Sequence, residues 1–280
     1  KELKLFFNGS AQERERIAST KLNQILGFAI ETAPFYRGLD ASLGINQFPV
    51  IDKNIIREQS AAFLSNRYTS KERVALVTSG STGTPFMTYH DKLKRIRNTS
   101  DTLYFASLSG YELGDKLMYF KIWSDYNRKS VWLRKMQNIE SIDVLNLRAN
   151  AREVLKFLEN QNSAICFLGY VSAFETLCRA IDSGEAFSMR TDVKSIITMS
   201  EALDDYTRKS CEKYFGCPVH SRYSNIENGI IAQQTLYSGS DFIINEASYF
   251  VEIMDVESDE ALPPGELGRI VVTDFYNKAM

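Results

Sequence analysis

At 280 residues the chain exceeds the usual single-domain size, so one large α/β domain or two packed subdomains fit, with room for a sizeable core. Hydrophobic residues make up 44% and charged residues 24%, ordinary globular proportions, and no apolar stretch is long enough to cross a bilayer. A formal charge of −2 and a pI near 5.9 give no field that would draw in nucleic acid or an anionic membrane, which leaves a small molecule or a protein as partner. Cys166, Cys178, Cys211 and Cys217 are spread as in proteins of a reducing compartment, so a soluble, cytoplasmic protein is expected. The chain opens on Lys1 rather than Met, and KELKLFFNGS has no signal-peptide core, so a trimmed start is expected.

Between Gln12 and Thr32 the apolar residues Ile17, Leu22, Ile25, Leu26, Ala29 and Ile30 recur at three- and four-residue steps, predicting an amphipathic helix ended by Pro34. Asp52 is a good N-cap for a short helix from Asn54 to Gln59. Val74 to Val77 reads as a buried strand running into a Ser/Thr/Gly loop at 78–85, and helical character follows from Asp91 to about Ser109. Strand-like runs at 116–120, 142–145, 164–168, 194–198 and 218–223 alternate with helix-like runs at 150–160, 171–182 and 204–214, a pattern of parallel α/β layering. Asp204 and Asp205 suit the N-terminus of the last helix. After Gly229 the texture turns to short β-type runs at 230–232, 242–244, 249–254 and 270–273, predicting a smaller β-rich subdomain. The expected division is a helical segment at 1–70, an α/β subdomain at 71–228 and the start of a β-rich one at 229–280.

The strongest local signal is Thr78-Ser79-Gly80-Ser81-Thr82-Gly83-Thr84-Pro85. Glycines let backbone N–H groups approach an anion, and hydroxyls donate to phosphate oxygens without fixed charge. No Gly-Lys-Ser/Thr follows at the spacing of a Walker A loop, and by composition alone an ordinary Ser/Gly turn fits equally well.

VTSGSTGTPF resembles the phosphate loop of the adenylate-forming (AMP-binding) superfamily, which includes acyl-CoA synthetases, adenylation domains of peptide synthetases and luciferase. Phe86 stands where many members carry lysine, which is similar to the phenylacetate-CoA ligase branch, as are Ala33-Pro34-Phe35-Tyr36-Arg37 and Phe48 to Lys53. Such variants also occur beside genes for capsular and surface polysaccharides. Met199-Ser200-Glu201-Ala202-Leu203 resembles the segment that lines the adenine pocket, and Arg222-Tyr223-Ser224-Asn225-Ile226-Glu227 is similar to the Tyr-Gly-x-Thr/Ser-Glu motif. Leu262 to Asp274 resembles the hairpin before the family's Arg-Tyr-x-Thr-Gly-Asp motif, which would lie beyond Met280 together with a C-terminal domain bearing the catalytic lysine.

The resemblance implies layered sheets flanked by helices, as in the N-terminal domain of these enzymes. It implies ATP phosphates on Thr78 to Thr84, adenine against Ser200, Glu201, Ala202, Tyr223 and Ser224, and Mg²⁺ on Glu227. Chemically, an aromatic face suits a purine and a hard carboxylate oxygen suits Mg²⁺ on phosphates. Ser224 replaces the usual glycine and Ile226 the usual hydroxyl residue. The implied activity is ATP-dependent activation of a carboxylic acid to an acyl-adenylate, with CoA, a carrier protein or an amine as acceptor. The alternatives are a nucleotide-binding module without turnover and an unrelated α/β enzyme such as a glycosyltransferase. The aromatic-rich stretch 101–132, with Tyr104, Tyr119 and Trp123, corresponds to the acyl-pocket region of relatives. Cys217 and His220, with Cys211 nearby, could ligate zinc by type, but a structural site wants four ligands and the chain has two histidines, His90 and His220. His90, just past the loop, could approach a carboxylate or phosphate, but reads first as an ordinary hydrogen-bonded histidine.

Overall fold

The computed structural model describes residues 1–78, 86–123 and 130–280. Ser79, Gly80, Ser81, Thr82, Gly83 and Thr84 of the predicted phosphate loop lie outside the described residues. The chain divides into two units: Lys1–Thr102 with Asn225–Ile231 and Ile244–Met280, and Leu103–Ser224 with Ala232–Ile243.

In the first unit α1 (Glu2–Asn8) precedes α2 (Ala11–Thr32), whose start is a capping box between Ser10 and Glu13. Pro34 ends α2 as its fixed φ and missing N–H predict, and opens a 3₁₀ turn. Asp52 caps α3 (Lys53–Glu58) through the N–H groups of Asn54 and Ile55, and α4 (Ser60–Phe63) follows. β1 (Val74–Thr78) pairs antiparallel with β2 (Phe86–His90), a strand that sequence periodicity did not reveal. The apolar run at 74–77 is therefore not a buried strand. A two-stranded ribbon covers one face only, so burial alternates and Val77 is 61% exposed. α5 (Lys92–Ser107) begins behind Asp91, whose Oδ1 accepts from Lys94 N at 3.0 Å.

The second unit shows the predicted alternation. β3 (Lys116–Lys121), α6 (Val131–Met136), β4 (Ile139–Asp143), α7 (Ala151–Glu159), β5 (Ile165–Tyr170), α8 (Val171–Asp182), β6 (Val193–Met199), α9 (Asp205–Phe215) and β7 (Val219–Asn225) follow in order. The strands from β3 to β7 pair in parallel, in the order β4-β3-β5-β6-β7, and β8 (Gly229–Gln233) and β9 (Ile243–Ile244) continue the sheet. β4 lies at 139–143 rather than 142–145 because its ladder to β3 sets Leu117 against Ile139. The apolar run that suggested the later position enters the turn after the strand. β5 is buried on both faces, which is why ICFLGY reads as continuous apolar sequence. At Gly169 a Cβ would stand 2.6 Å from the Phe120 Cβ, so only glycine permits this approach of β5 to β3. Phe120, Phe167, Phe174, Leu177 and Phe215 fill the core between the sheet and α7 to α9.

The remaining strands, β10 (Tyr249–Met254) and β11 (Arg269–Asp274), form a small antiparallel pair in the first unit, with Tyr249 opposite Asp274. Leu22, Ile25 and Leu26 of α2 pack with Phe275 just past β11. Among the described residues no helix is long and apolar enough to cross a membrane.

Candidate functional site

The second unit carries one group of the predicted residues. In parallel α/β sheets ligands collect at the carboxyl ends of strands, and there Met199, the last residue of β6, pairs with Arg222 of β7. That register brings Ser200 to Ala202, which leave β6, alongside Tyr223 and Ser224, which end β7. Ser200 has φ +69, a left-handed conformation costly for a non-glycine residue and a mark of a constrained turn. The Glu201 carboxylate accepts from Ser172 N at 2.6 Å and from Ser172 Oγ at 2.9 Å, so it caps α8. This leaves the main chain and the small side chains of the turn to face a ligand. Tyr223 is 45% exposed, unlike Arg222 before it, which is buried and donates from Nε to Gln233 Oε1 at 2.6 Å.

The first unit carries the other group. Thr78 and Phe86 are directly paired, so the chain leaves the ribbon and returns to it at opposed positions. Among the described residues the buried Thr78 Oγ1 has no hydrogen-bond partner, at the position where the predicted loop begins. At the far end of β2, His90 Nε2 lies 2.6 Å from the main-chain oxygen of Glu227. A carbonyl only accepts, so Nε2 carries the proton. Burial pushes the His90 pKa below its ordinary value, against the opposing pull of this bond, so the ring is held neutral. The Glu227 side chain is 15% exposed, and its Oε1 pairs with Lys53 Nζ. Lys53 Nζ also stands 5.2 Å from the centre of the Phe86 ring. Local sequence pointed to neither Lys53 nor His90 as a neighbour of Glu227; no periodicity or motif links residues so far apart, and only the tertiary fold does.

Among the described residues no cluster of three or more His, Cys, Asp or Glu could hold a metal. Cys211 faces Cys178, Sγ to Sγ 3.7 Å, and Cys217 donates to the Pro218 carbonyl oxygen, so neither thiol is turned toward a shared ligand with His220. Mg²⁺ bound through a nucleotide asks for less, one or two carboxylates with the phosphates supplying the rest. Glu227 fits that demand, because its side chain is partly exposed and its ion-pair partner, Lys53, is half-exposed beside the Phe86 ring.

Comparison with protein-family models finds no match, and neither does comparison with curated proteins. Solved structures do match. 2-Hydroxyisobutyryl-CoA ligase in its postadenylation state with 2-HIB-AMP aligns with a TM-score of 0.74 at 16% identity, over 97% of this chain and 61% of that one. Its open conformation with 2-HIB-AMP and CoA aligns with a TM-score of 0.75 at 17% identity, over 96% and 67%. An ATP-bound RpMatB-BxBclM chimera aligns more loosely, with a TM-score of 0.51 at 14% identity, over 77% and 42%. The chain thus spans about three-fifths of the first ligase structure it matches. The architecture, a largely parallel sheet flanked by helices with a small antiparallel β pair, is the fold of the N-terminal domain of adenylate-forming ligases.

Proposed function

We propose that this chain binds ATP and serves the activation of a carboxylic acid to an acyl-adenylate, with CoA as the leading acceptor and a carrier protein or an amine as others. The observation that carries this reading is the bond from His90 to the Glu227 main chain, supported by the fold. The strand that leaves the predicted phosphate loop is thereby tied to the residue predicted to serve the phosphates, although local sequence keeps them apart. In this reading Thr78 to Thr84 donate to the phosphates, Tyr223 stacks on adenine, and the turn Ser200-Glu201-Ala202 with Ser224 lines the base. Glu227 holds Mg²⁺, which supplies charge neutralisation on the phosphates when bound. The acid's carboxylate oxygen attacks the α-phosphorus and pyrophosphate leaves; the thiol or amine then attacks the acyl carbon and AMP leaves. The protein contributes position and pre-aimed donors, which stabilise charge that grows during the displacement. Phe86, at the place of the loop lysine, supports assignment to a phenylacetate-CoA ligase-like branch, including adenylating proteins of surface-polysaccharide clusters.

A second reading, a nucleotide-binding module without turnover, is favoured by the pairing of Glu227 with Lys53, which already neutralises that carboxylate. Calorimetric titration with Mg·ATP, AMP and an acyl-adenylate mimic, run beside carboxylate-dependent pyrophosphate exchange, separates the two. Binding with exchange, both weakened by Glu227→Gln, is expected, and the loss of Mg·ATP affinity should be about tenfold, ~1.4 kcal/mol. Binding without exchange selects the module, and no nucleotide binding at all refutes both.

A further inference from the structure

Behind Glu227 the structure holds a feature that the reading above leaves unused. Lys94, on α5, is fully buried, as is Tyr249 at the start of β10. Lys94 Nζ pairs with Asp274 Oδ2 at 2.5 Å and donates to Tyr249 Oη at 3.0 Å. Tyr249 Oη in turn donates to the main-chain oxygen of Asn228, the residue after Glu227. Burial, with the anionic Asp274 and Asp101 adding to it, drives the Tyr249 pKa far above its ordinary value, so the phenol keeps its proton and remains a donor. An ammonium on the phenol oxygen polarises the O–H and strengthens its donation to the carbonyl. On the other side, His90 donates to the carbonyl of Glu227 itself. Two consecutive carbonyls, at Glu227 and Asn228, are therefore gripped by buried side chains from different strands. The turn is pinned further by Asn228 N donating to Asn225 Oδ1 at 2.7 Å. Gly229 follows at φ +103, where a Cβ would stand 2.9 Å from Asn98 Oδ1.

We infer that Tyr249, backed by the Lys94–Asp274 pair, and His90 are positioning residues that clamp the backbone at Glu227 and so aim its carboxylate. The clamp gives a role to a buried lysine that solubility and packing do not require. An unpaired ammonium in the interior is costly, and a paired one is seldom retained for stability alone. Its use toward ATP rests on the function proposed above; its existence as a clamp does not.

The test is Tyr249→Phe, which keeps the ring and removes only the hydroxyl. Hydrogen exchange read by mass spectrometry should quicken in the peptide spanning 225–230 while peptides of α7 and α8 keep their rates; unchanged exchange at 225–230 overturns the clamp. In Mg·ATP titrations Tyr249→Phe should lose about tenfold in affinity, and the double variant with Glu227→Gln should lose no more than Glu227→Gln alone, because a residue acting through Glu227 has nothing left to act on. Additive losses overturn the positioning role and leave a general structural one. Should Tyr249→Phe fail to fold, His90→Gln makes the same two measurements from the other side of the turn, with the same outcomes deciding. A wild-type chain that shows no Mg·ATP binding overturns the proposed function and the clamp's service to ATP, and the exchange result still decides whether the clamp exists.

Discussion

In the second unit the most deeply buried side chains are Phe120, Phe167, Phe174 and Leu177, whereas in the first unit Lys94 and Asp101 are covered just as completely, with Arg97 almost so. The Asp101 carboxylate accepts from Ser248 Oγ at 2.7 Å and from Asn245 Nδ2 at 3.0 Å, and it forms an ion pair with Arg97, whose Nε lies 2.9 Å away and donates to Ser248 Oγ. Burial nonetheless pushes its pKa above the ordinary carboxylate value, against the pull of Arg97 and the two donors. Hydrocarbon packing is non-directional and tolerates conservative exchange, whereas a buried charge network is stable in one arrangement only. The unit that carries Glu227 thus buries a network of paired charges, which suits a site that must keep a carboxylate at a set place.

That contrast can be broken by experiment. The largest effect is expected from Asp101→Ala, which removes the buried carboxylate facing Arg97 and leaves that guanidinium with Glu2 as its remaining ion-pair partner and the Ser248 hydroxyl without its acceptor; guanidinium denaturation should show a loss of about 3–5 kcal/mol, and a loss near zero would show that the network is idle. In the second unit Leu177→Ala, at a fully buried position of α8, should cost about 2–5 kcal/mol by removing methyl groups and leaving a cavity. Its partner experiment is Leu177→Met, which should cost under about 1.5 kcal/mol; if both substitutions were equally damaging, the second core would be as exacting as the first.

The smallest effect is a pH slope shared by both units. His90 and His220 have pKa values pushed below 6.5, first by burial. A histidine depressed in the folded state contributes stability that is present above 6.5, its unfolded value, and is lost as pH falls through that value toward the folded one. Unfolding free energy should therefore be lower at pH 5 than at pH 7.5, and His90→Gln should flatten part of the difference. An unchanged slope would show that His90 keeps its ordinary affinity for protons in the folded chain.

The amino-acid order by itself determined the local elements whose signals are short-ranged. The helical period from Gln12 to Thr32, the Pro34 stop and the Asp52 and Asp204 caps act over one or two turns, and the structure repeats them. The alternation from β3 to β7 was legible because strands buried on both faces need continuous apolar runs and their covering helices need amphipathic ones. β2 was not, since FMTYH becomes a strand only by pairing with β1. Of the candidate site, the loop, the turn after Met199 and the residues from Tyr223 to Glu227 could be read as motifs, but their neighbours could not. Only the tertiary structure set His90 and Lys53 on Glu227 and Tyr249 on Asn228. These contacts join residues distant in sequence, through single hydrogen bonds and ion pairs that leave no periodicity behind. Their partners are chosen by the path of the chain, which returns after Asn225 and again after Ile244 to the unit where it began.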